Sequence, residues 1–222
     1  MAVSAPYDAH ADWYERYVTG EAARVTGRAQ DLLRELLGTG AGRCLEVCCG
    51  TGIHAATVRQ LGWTPVGVDI SRGQLRHAAG RLPVILADAT ALPLARGSVP
   101  AAACLMAHTD AADYPGVLRE VARVLRPGGR FVHIGVHPCF VGAFADRSAR
   151  PRVVVDQRYA DRSHSFDAWC PSGVRARLGA RHLPLADLFN ALTGAGLSVR
   201  RMAEAGAGGV PDLLGLSADQ PG

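Results

Sequence analysis

The sequence predicts an α/β fold in which a mostly parallel sheet carries helices on both faces. Three observations carry that prediction. Short apolar runs alternate with amphipathic helical stretches between residues 43 and 136. A tight glycine turn, Gly50-Thr51-Gly52, follows the first of those runs directly. Acidic residues, Asp69 and Asp88, then close the next two runs. In such sheets ligands sit beyond the carboxyl ends of the strands, which is where these residues fall.

Each element can be justified in turn. The first forty residues read as helical, with Leu32, Leu33, Leu36 and Leu37 at helical spacing and GTGAG at 38–42 as a stop. RCLEV (43–47) is a buried strand, and IHAATVRQLG is a short helix closed by Gly62. TPVGVDI (64–70) and SRGQLRHAAGR form the second strand and helix, and PVILA (83–87) the third strand. AAACLMA (101–107) is the fourth strand, followed by a helix ending in VLREVARVL. Arg126-Pro127-Gly128-Gly129 turns the chain into a fifth strand, RFVHIGV.

Residues 137–182 break this alternation. Phe140, Phe144, Tyr159, Phe166 and Trp169 stand there among prolines, glycines and charges. A long insertion after a strand end is more often functional than a plain connector. LPLADLFNALTGAGL then resumes as a helix, and LSVRRMAEA and PDLLGLSA read as two last strands.

The bulk properties narrow the function classes. At 222 residues the chain fits one sizeable domain. No run of eighteen apolar residues predicts a membrane span, and MAVSAPYDAHADWYERY lacks the pattern of a signal peptide, so a cytoplasmic protein is the default. All 24 basic residues are arginine, which excludes Schiff-base lysine chemistry and a phosphate-loop lysine. The six cysteines (44, 48, 49, 104, 139 and 170) form no C-x-x-C pair, so no metal site is expected. Residues 140–182 hold eight arginines against four aspartates, and this segment accounts for the whole formal net charge of +4. An anionic acceptor is one explanation, and arginines solvated over a loop are the commoner one. Nucleic acid is not expected as a partner, because the charge is modest and confined. The interleaved aromatics suggest an apolar pocket instead.

The glycine loop supports two readings. Gly50-Thr51-Gly52-Ile53-His54-Ala55 fits G-x-G-x-x-[GA] after a strand, and Asp69 ends the next strand at the spacing of a dinucleotide fingerprint. That favours an NAD(P)-dependent oxidoreductase. Against it, Glu46 stands just before the turn, where it could face a ligand amine, and Asp88 is placed to reach a base edge.

Taken together, LEVCCGTG, VGVDIS, ADATALPL and LREVARVLRPGGRFV resemble, in order, the motifs of class I S-adenosylmethionine-dependent methyltransferases, especially the small quinone-biosynthesis kind. YDAHADWYERY is similar to that family's N-terminal lid, so the likeness runs over residues 7–217. The resemblance implies a Rossmann-like, doubly wound, mostly parallel seven-stranded sheet with an antiparallel last strand, in three α/β/α layers. It implies one domain over 1–222: a helical lid (1–40), a cofactor-binding core (41–136), an acceptor-binding insertion (137–182) and a C-terminal helix with a strand hairpin (183–217). S-adenosylmethionine is the implied cofactor. Glu46 and the amides near Gly50 and Gly52 would receive its methionine amine and carboxylate, Asp69 its ribose hydroxyls with Ile70 beside the adenine, and Asp88 with Ala89 the adenine edge. Tyr14 and Tyr17 would close over the methionine end. Cys48 replaces the usual glycine, which only a required positive φ or a direct backbone contact would forbid. A helix N-terminus beside it would lower its thiol pKa.

Methyl transfer from a sulfonium needs alignment, water exclusion and, for a hydroxyl or protonated amine, a base. His108, His137 and His182 stand where a base is useful, whereas His133 reads as structural and His10, His54, His77 and His164 lack a distinctive context. The expected activity is methylation of oxygen or nitrogen, rather than carbon, in a small acceptor of anionic or aromatic character. A bacterial secondary (natural product) pathway is the expected setting, and a homodimer stays open. The alternatives are the oxidoreductase above or a methyltransferase-like protein that binds the cofactor without transferring methyl, such as a cyclase, a decarboxylase or a binding module.

Overall fold

The computed structural model describes residues 5–148, 152–168 and 170–222. Arg150 and Trp169, counted above among the insertion's charges and aromatics, lie outside them. Helices α1 (Ala11–Thr19) and α2 (Ala23–Leu37) lead into β1 (Arg43–Val47), α3 (Ala55–Gln60), β2 (Thr64–Asp69), α4 (Arg72–Ala78) and β3 (Val84–Leu86). Next come β4 (Val99–Leu105), α5 (Tyr114–Val124) and β5 (Leu125–Val136). The insertion carries the short pair β6 (Ala145–Asp146) and β7 (Val154–Val155) and one turn of helix, α6 (Val174–Leu178). α7 (Leu185–Gly194), β8 (Ser198–Ala205) and β9 (Leu213–Asp219) complete the chain.

Seven strands form one sheet in the order β3-β2-β1-β4-β5-β9-β8. β1 to β5 pair in parallel, while β9 runs antiparallel to both neighbours. The last strand of the chain therefore slots between β5 and β8. The central strands read as continuous apolar runs because both sheet faces are covered. Successive residues point to opposite faces. Cys44, Ala101, Ala103, Val132 and Ile134 meet the buried stripe of α2 (Ala29, Leu32, Leu33, Leu36 and Leu37). Leu45, Val47, Ala102, Cys104 and Phe131 pack with Val117, Leu118 and Val121 of α5 and with Leu188 and Leu192 of α7. Each fully buried side chain of this size contributes about 1.5–3 kcal/mol.

One local expectation changes. The Arg126–Gly129 turn lies inside β5 as a bulge, because the pairing steps from Val99 with Leu125 to Ala101 with Arg130. Gly128 takes φ +73° within it.

The N-terminal segment docks lengthwise on α4. Asp8 Oδ1 accepts from Ser71 Oγ (2.7 Å) and the Gly73 N–H (2.9 Å), so α4 is capped by an acid from a distant part of the chain as well as by Ser71. Further along, Asp12 meets His77 (2.8 Å) and Glu15 meets Arg81. Arg81 also donates to the Thr51 carbonyl (2.8 Å), which joins lid, helix and glycine loop. Arg177 of α6 stands 4.5 Å over the Trp13 ring, a cation–π contact between insertion and lid.

Candidate active site

At the carboxyl end of β1 the chain turns through Cys48 (φ +54°), Cys49 and Gly50 (φ +55°) to Gly52 (φ +71°). A Cβ on Gly52 would stand 2.6 Å from Leu82 Cδ2, so glycine is demanded there by space as well as by φ. Cys48 holds the left-handed conformation without being glycine, and Met106, just past β4, does the same at φ +60°. Both line one cleft with Tyr14, Glu46, Gly50, Thr51 and His54. Two strained residues at the ends of adjacent central strands mark this edge of the sheet.

Glu46 is buried at the base of the cleft, and its Oε1 has no hydrogen-bond partner among the described residues. Burial pushes its carboxyl up to about 8. Asp69 Oδ2 accepts from the Gly50 N–H (2.8 Å) and Oδ1 from the Ser71 N–H (2.8 Å), so this acid pins the glycine loop to the end of β2. Burial raises its pKa, partly opposed by those N–H bonds. Each oxygen keeps a further lone pair for a ligand hydroxyl. Asp88 is exposed and closes its own turn on the Thr90 N–H and hydroxyl (both 2.8 Å). Ala89 is buried, and Ile70 is exposed beside Asp69.

Tyr14 leans in so that its ring comes within 4.0 Å of where a Cβ on Gly50 would stand. Tyr17 instead stacks on Trp13 with centroids 5.2 Å apart. The cleft has about 30 Å³ of free space, roughly one water's share of the liquid. A wider concavity of about 630 Å³ beside α4, lined by Asp8, Arg72, Leu75 and Leu86 among others, contains none of the predicted site residues.

The three candidate bases differ. His137 accepts from the Cys139 N–H at Nδ1 (3.1 Å), closing a turn, and meets Glu204 Oε1 of β8 at Nε2 (2.7 Å), so both nitrogens are engaged. His108 is buried against His133 (centroids 5.1 Å) with Nδ1 unpartnered among the described residues, and burial lowers its pKa well below the usual value. His182 packs against Phe144 (4.4 Å) and Tyr159 (5.1 Å), and burial lowers it to about 4. His133 Nδ1 shares a hydrogen bond with the buried Tyr114 hydroxyl (2.6 Å). Sequence reading passed over His54, which reaches the cleft buried and with Nδ1 unpartnered among the described residues. It also passed over Tyr7, Asp8 and Asp110, whose partners lie more than sixty residues away along the chain.

The cysteines carry no sign of activation. The Cys48 thiol lies against Cys104, and that hydrogen bond together with burial raises its pKa, the reverse of the lowering expected beside a helix N-terminus. Among the described residues no three His, Cys, Asp or Glu side chains group as a metal site. No helix there is long and apolar enough to cross a membrane. Several insertion arginines are engaged internally: Arg158 with Asp156 and Asp167, Arg162 with Asp187, and Arg175 with the carbonyls of Ala180 and Arg181.

Strand order, glycine loop and closing acids define a class I S-adenosylmethionine-dependent methyltransferase fold. A solved S-adenosylmethionine-dependent methyltransferase from Mesorhizobium loti superposes with a TM-score of 0.69 at 22% identity, over 85% of this chain and 95% of that one. Residues 45–133 match the family model described as a methyltransferase domain. A demethylmenaquinone methyltransferase of Mycolicibacterium paratuberculosis is 38% identical over 101 residues, 45% of this chain and 44% of the relative. Methyltransferase GfsG of Streptomyces halstedii is 39% identical over 114 residues, 46% of this chain and 41% of the relative. The matches thus span less than half the length of these relatives. Residues 45–133 are therefore similar to a methyltransferase domain, and the whole sheet shares the fold of S-adenosylmethionine-dependent methyltransferases.

The residues present fit that cofactor. Its methionine ammonium calls for a buried carboxylate, and the partnerless Glu46 Oε1 is one. Beside Gly50 the turn is open, with Tyr14 Cε1 and Gln74 Oε1 each 4.0 Å from where a Cβ would stand, while the Gly50 and Gly52 N–H groups already donate to Asp69 Oδ2 and the Cys49 carbonyl.

Proposed function

We propose that the chain transfers the methyl group of S-adenosylmethionine to an oxygen or nitrogen of a small-molecule acceptor, in the cytoplasm and in a bacterial natural product pathway. The observation that carries this reading is the Glu46 carboxyl, buried without a partner under the glycine loop. A carboxyl held so far above its usual range is costly unless a cation arrives to pair with it. When bound, the cofactor supplies an electrophilic methyl carbon whose displacement needs alignment and a dry site more than covalent catalysis. Glu46 holds the ligand's ammonium, the open turn around Gly50 and Gly52 receives its carboxylate, and Asp69 its ribose, with Ile70, Asp88 and Ala89 around the adenine. Tyr14 closes the methionine end and excludes water, with Tyr17 and Trp13 behind it. The insertion, 137–182, supplies the acceptor pocket. Because many of its arginines are used internally, its aromatic cluster of Phe144, Tyr159 and His182 favours an aromatic acceptor over an anionic one. The names of the relatives, a demethylmenaquinone methyltransferase and a Streptomyces methyltransferase, support a small-molecule acceptor.

Calorimetry with S-adenosylmethionine, S-adenosylhomocysteine and NADPH tests the reading. Both adenosyl ligands are expected to bind, and Asp69→Ala is expected to weaken them by about 10- to 150-fold, the worth of a hydrogen bond to a charged group. Binding of the nicotinamide alone overturns the function, and unchanged affinity in a folded Asp69→Ala protein overturns the pose.

A further inference from the structure

Asp110 has no part in the cofactor cradle, yet two distant parts of the chain converge on its turn. It lies in the turn that follows β4, at the same sheet edge as Glu46 and Asp69. From the N-terminal segment the Tyr7 hydroxyl donates to its Oδ2 (3.1 Å). Tyr7 in turn stands edge-on to Tyr14, centroids 5.3 Å apart, and Tyr14 leans over Gly50. From the insertion, the Arg181 N–H donates to the carbonyl of the neighbouring Thr109 (2.8 Å). Arg175, fixed by the carbonyls of Ala180 (2.8 Å) and Arg181 (3.2 Å), adds positive charge. The charged and titratable groups facing Asp110 are therefore Tyr7, Tyr14, Asp69 and Arg175. Burial raises its carboxyl, and the Tyr7 hydrogen bond and the Arg175 charge partly oppose the rise.

The geometry points to Asp110 as the acceptor-side base: it takes a proton from a hydroxyl or ammonium of the acceptor, and Tyr7 fixes its orientation. This rests on the function proposed above and narrows the acceptor class to molecules with an ionisable O–H or N–H at the reacting group. In the step, the acceptor's O–H or N–H bond breaks and the proton passes to the Asp110 carboxylate. The freed electron pair forms the bond to the methyl carbon, and the carbon–sulfur pair leaves with sulfur, which becomes a neutral thioether. The candidate histidines are less suited. His137 has no free nitrogen, and burial makes His108 and His182 weak bases.

A base in contact with the acceptor atom also lies close to the donor's positive charge, which gives a test that needs no acceptor. S-adenosylmethionine carries the sulfonium and S-adenosylhomocysteine does not, while both carry the same ammonium facing Glu46. Their affinities for the full chain are measured by calorimetry from pH 5.5 to 8. The ratio favouring the sulfonium is expected to rise about tenfold, as a one-unit downward shift of Asp110 requires. It is expected to stay flat in Asp110→Asn, which must still bind S-adenosylhomocysteine with the parent affinity. Tyr7→Phe, which removes a bond that favours the carboxylate, moves the midpoint of the rise to higher pH. A flat ratio in the parent, with both ligands bound, overturns the assignment. A rise that persists in Asp110→Asn overturns it too, and moves the titration to Asp69. If neither ligand binds, the proposed function itself fails.

Discussion

In the proposed pose, Glu46 makes cofactor binding a proton-transfer step. With its carboxyl near 8, about 0.9 of the free protein carries the proton there at pH 7. An ammonium placed against the unpartnered Oε1 favours the ionised form, and an opposite charge at contact lowers a carboxyl by roughly 1–3 units. Two units down, Glu46 is mostly ionised in the complex at pH 7. Binding should then release close to one proton, and affinity should climb toward tenfold per pH unit between about 6 and 8. The assay is calorimetry at pH 7 in two buffers of different ionisation enthalpy. The difference in apparent heat counts the protons released. S-adenosylhomocysteine serves as ligand, because it carries the amine without the sulfonium. Glu46→Gln should lose both the proton release and most of the affinity. Identical heats in the two buffers for the parent protein would refute the reasoning, since the carboxyl would then not change its state on binding.

Three further outcomes can be checked. The buried His54, His133 and His182 have folded pKa values lowered to about 4, 3 and 4, so they stay neutral while their unfolded counterparts protonate below about 6.5. Stability is therefore lost as pH falls from 6.5 toward 4. His108, lowered well below the usual value, adds a fourth, and Glu46 and Asp110, raised in the fold, oppose two of the four, leaving about 3 kcal/mol per pH unit in urea unfolding followed by circular dichroism; a flat midpoint from pH 6.5 to 5 contradicts this. Cys48→Gly should stay within about 1 kcal/mol of the parent, because relief of the left-handed strain offsets glycine's entropy cost, whereas Cys48→Val should cost more than about 2 kcal/mol. Equal stabilities for the two variants in the same denaturation assay would remove strain from the account. Tyr114→Phe strands His133 Nδ1 in the core and should cost about 1–3 kcal/mol, read as a lower thermal midpoint; an unchanged midpoint would mean that water replaces the hydroxyl.

The parallel core was legible because its signals are local. An apolar run such as Ala101–Leu105 needs no partner in view to be recognised as a strand buried on both faces. Glycines flanking position 51 announce a turn whatever lies around them. The acids at 46, 69 and 88 fell at strand ends simply by counting. What stayed hidden depends on contacts between distant segments. Asp8 capping α4 from another part of the chain has no periodicity to betray it, nor has Tyr7 on Asp110, 103 residues away. His137 looked available because its partner Glu204 comes 67 residues later. The φ of Cys48 was invisible for a different reason. Cysteine carries no preference for that conformation, so only the packed loop reveals that the backbone there still follows the path a glycine would take.

The acids spaced along the lid, Asp8, Asp12 and Glu15, each hold a different level of α4 or the residues just past it. With so little room left under Tyr14, the proposed function requires that row of contacts to part before a cofactor-sized molecule enters or leaves the cleft. Exchange then has the kinetics of opening a zipper: its rate follows the breaking of charged contacts and rises with ionic strength, even where equilibrium affinity barely moves. On the function proposed above, cofactor exchange is expected to be paced by how often the N-terminal helix lets go.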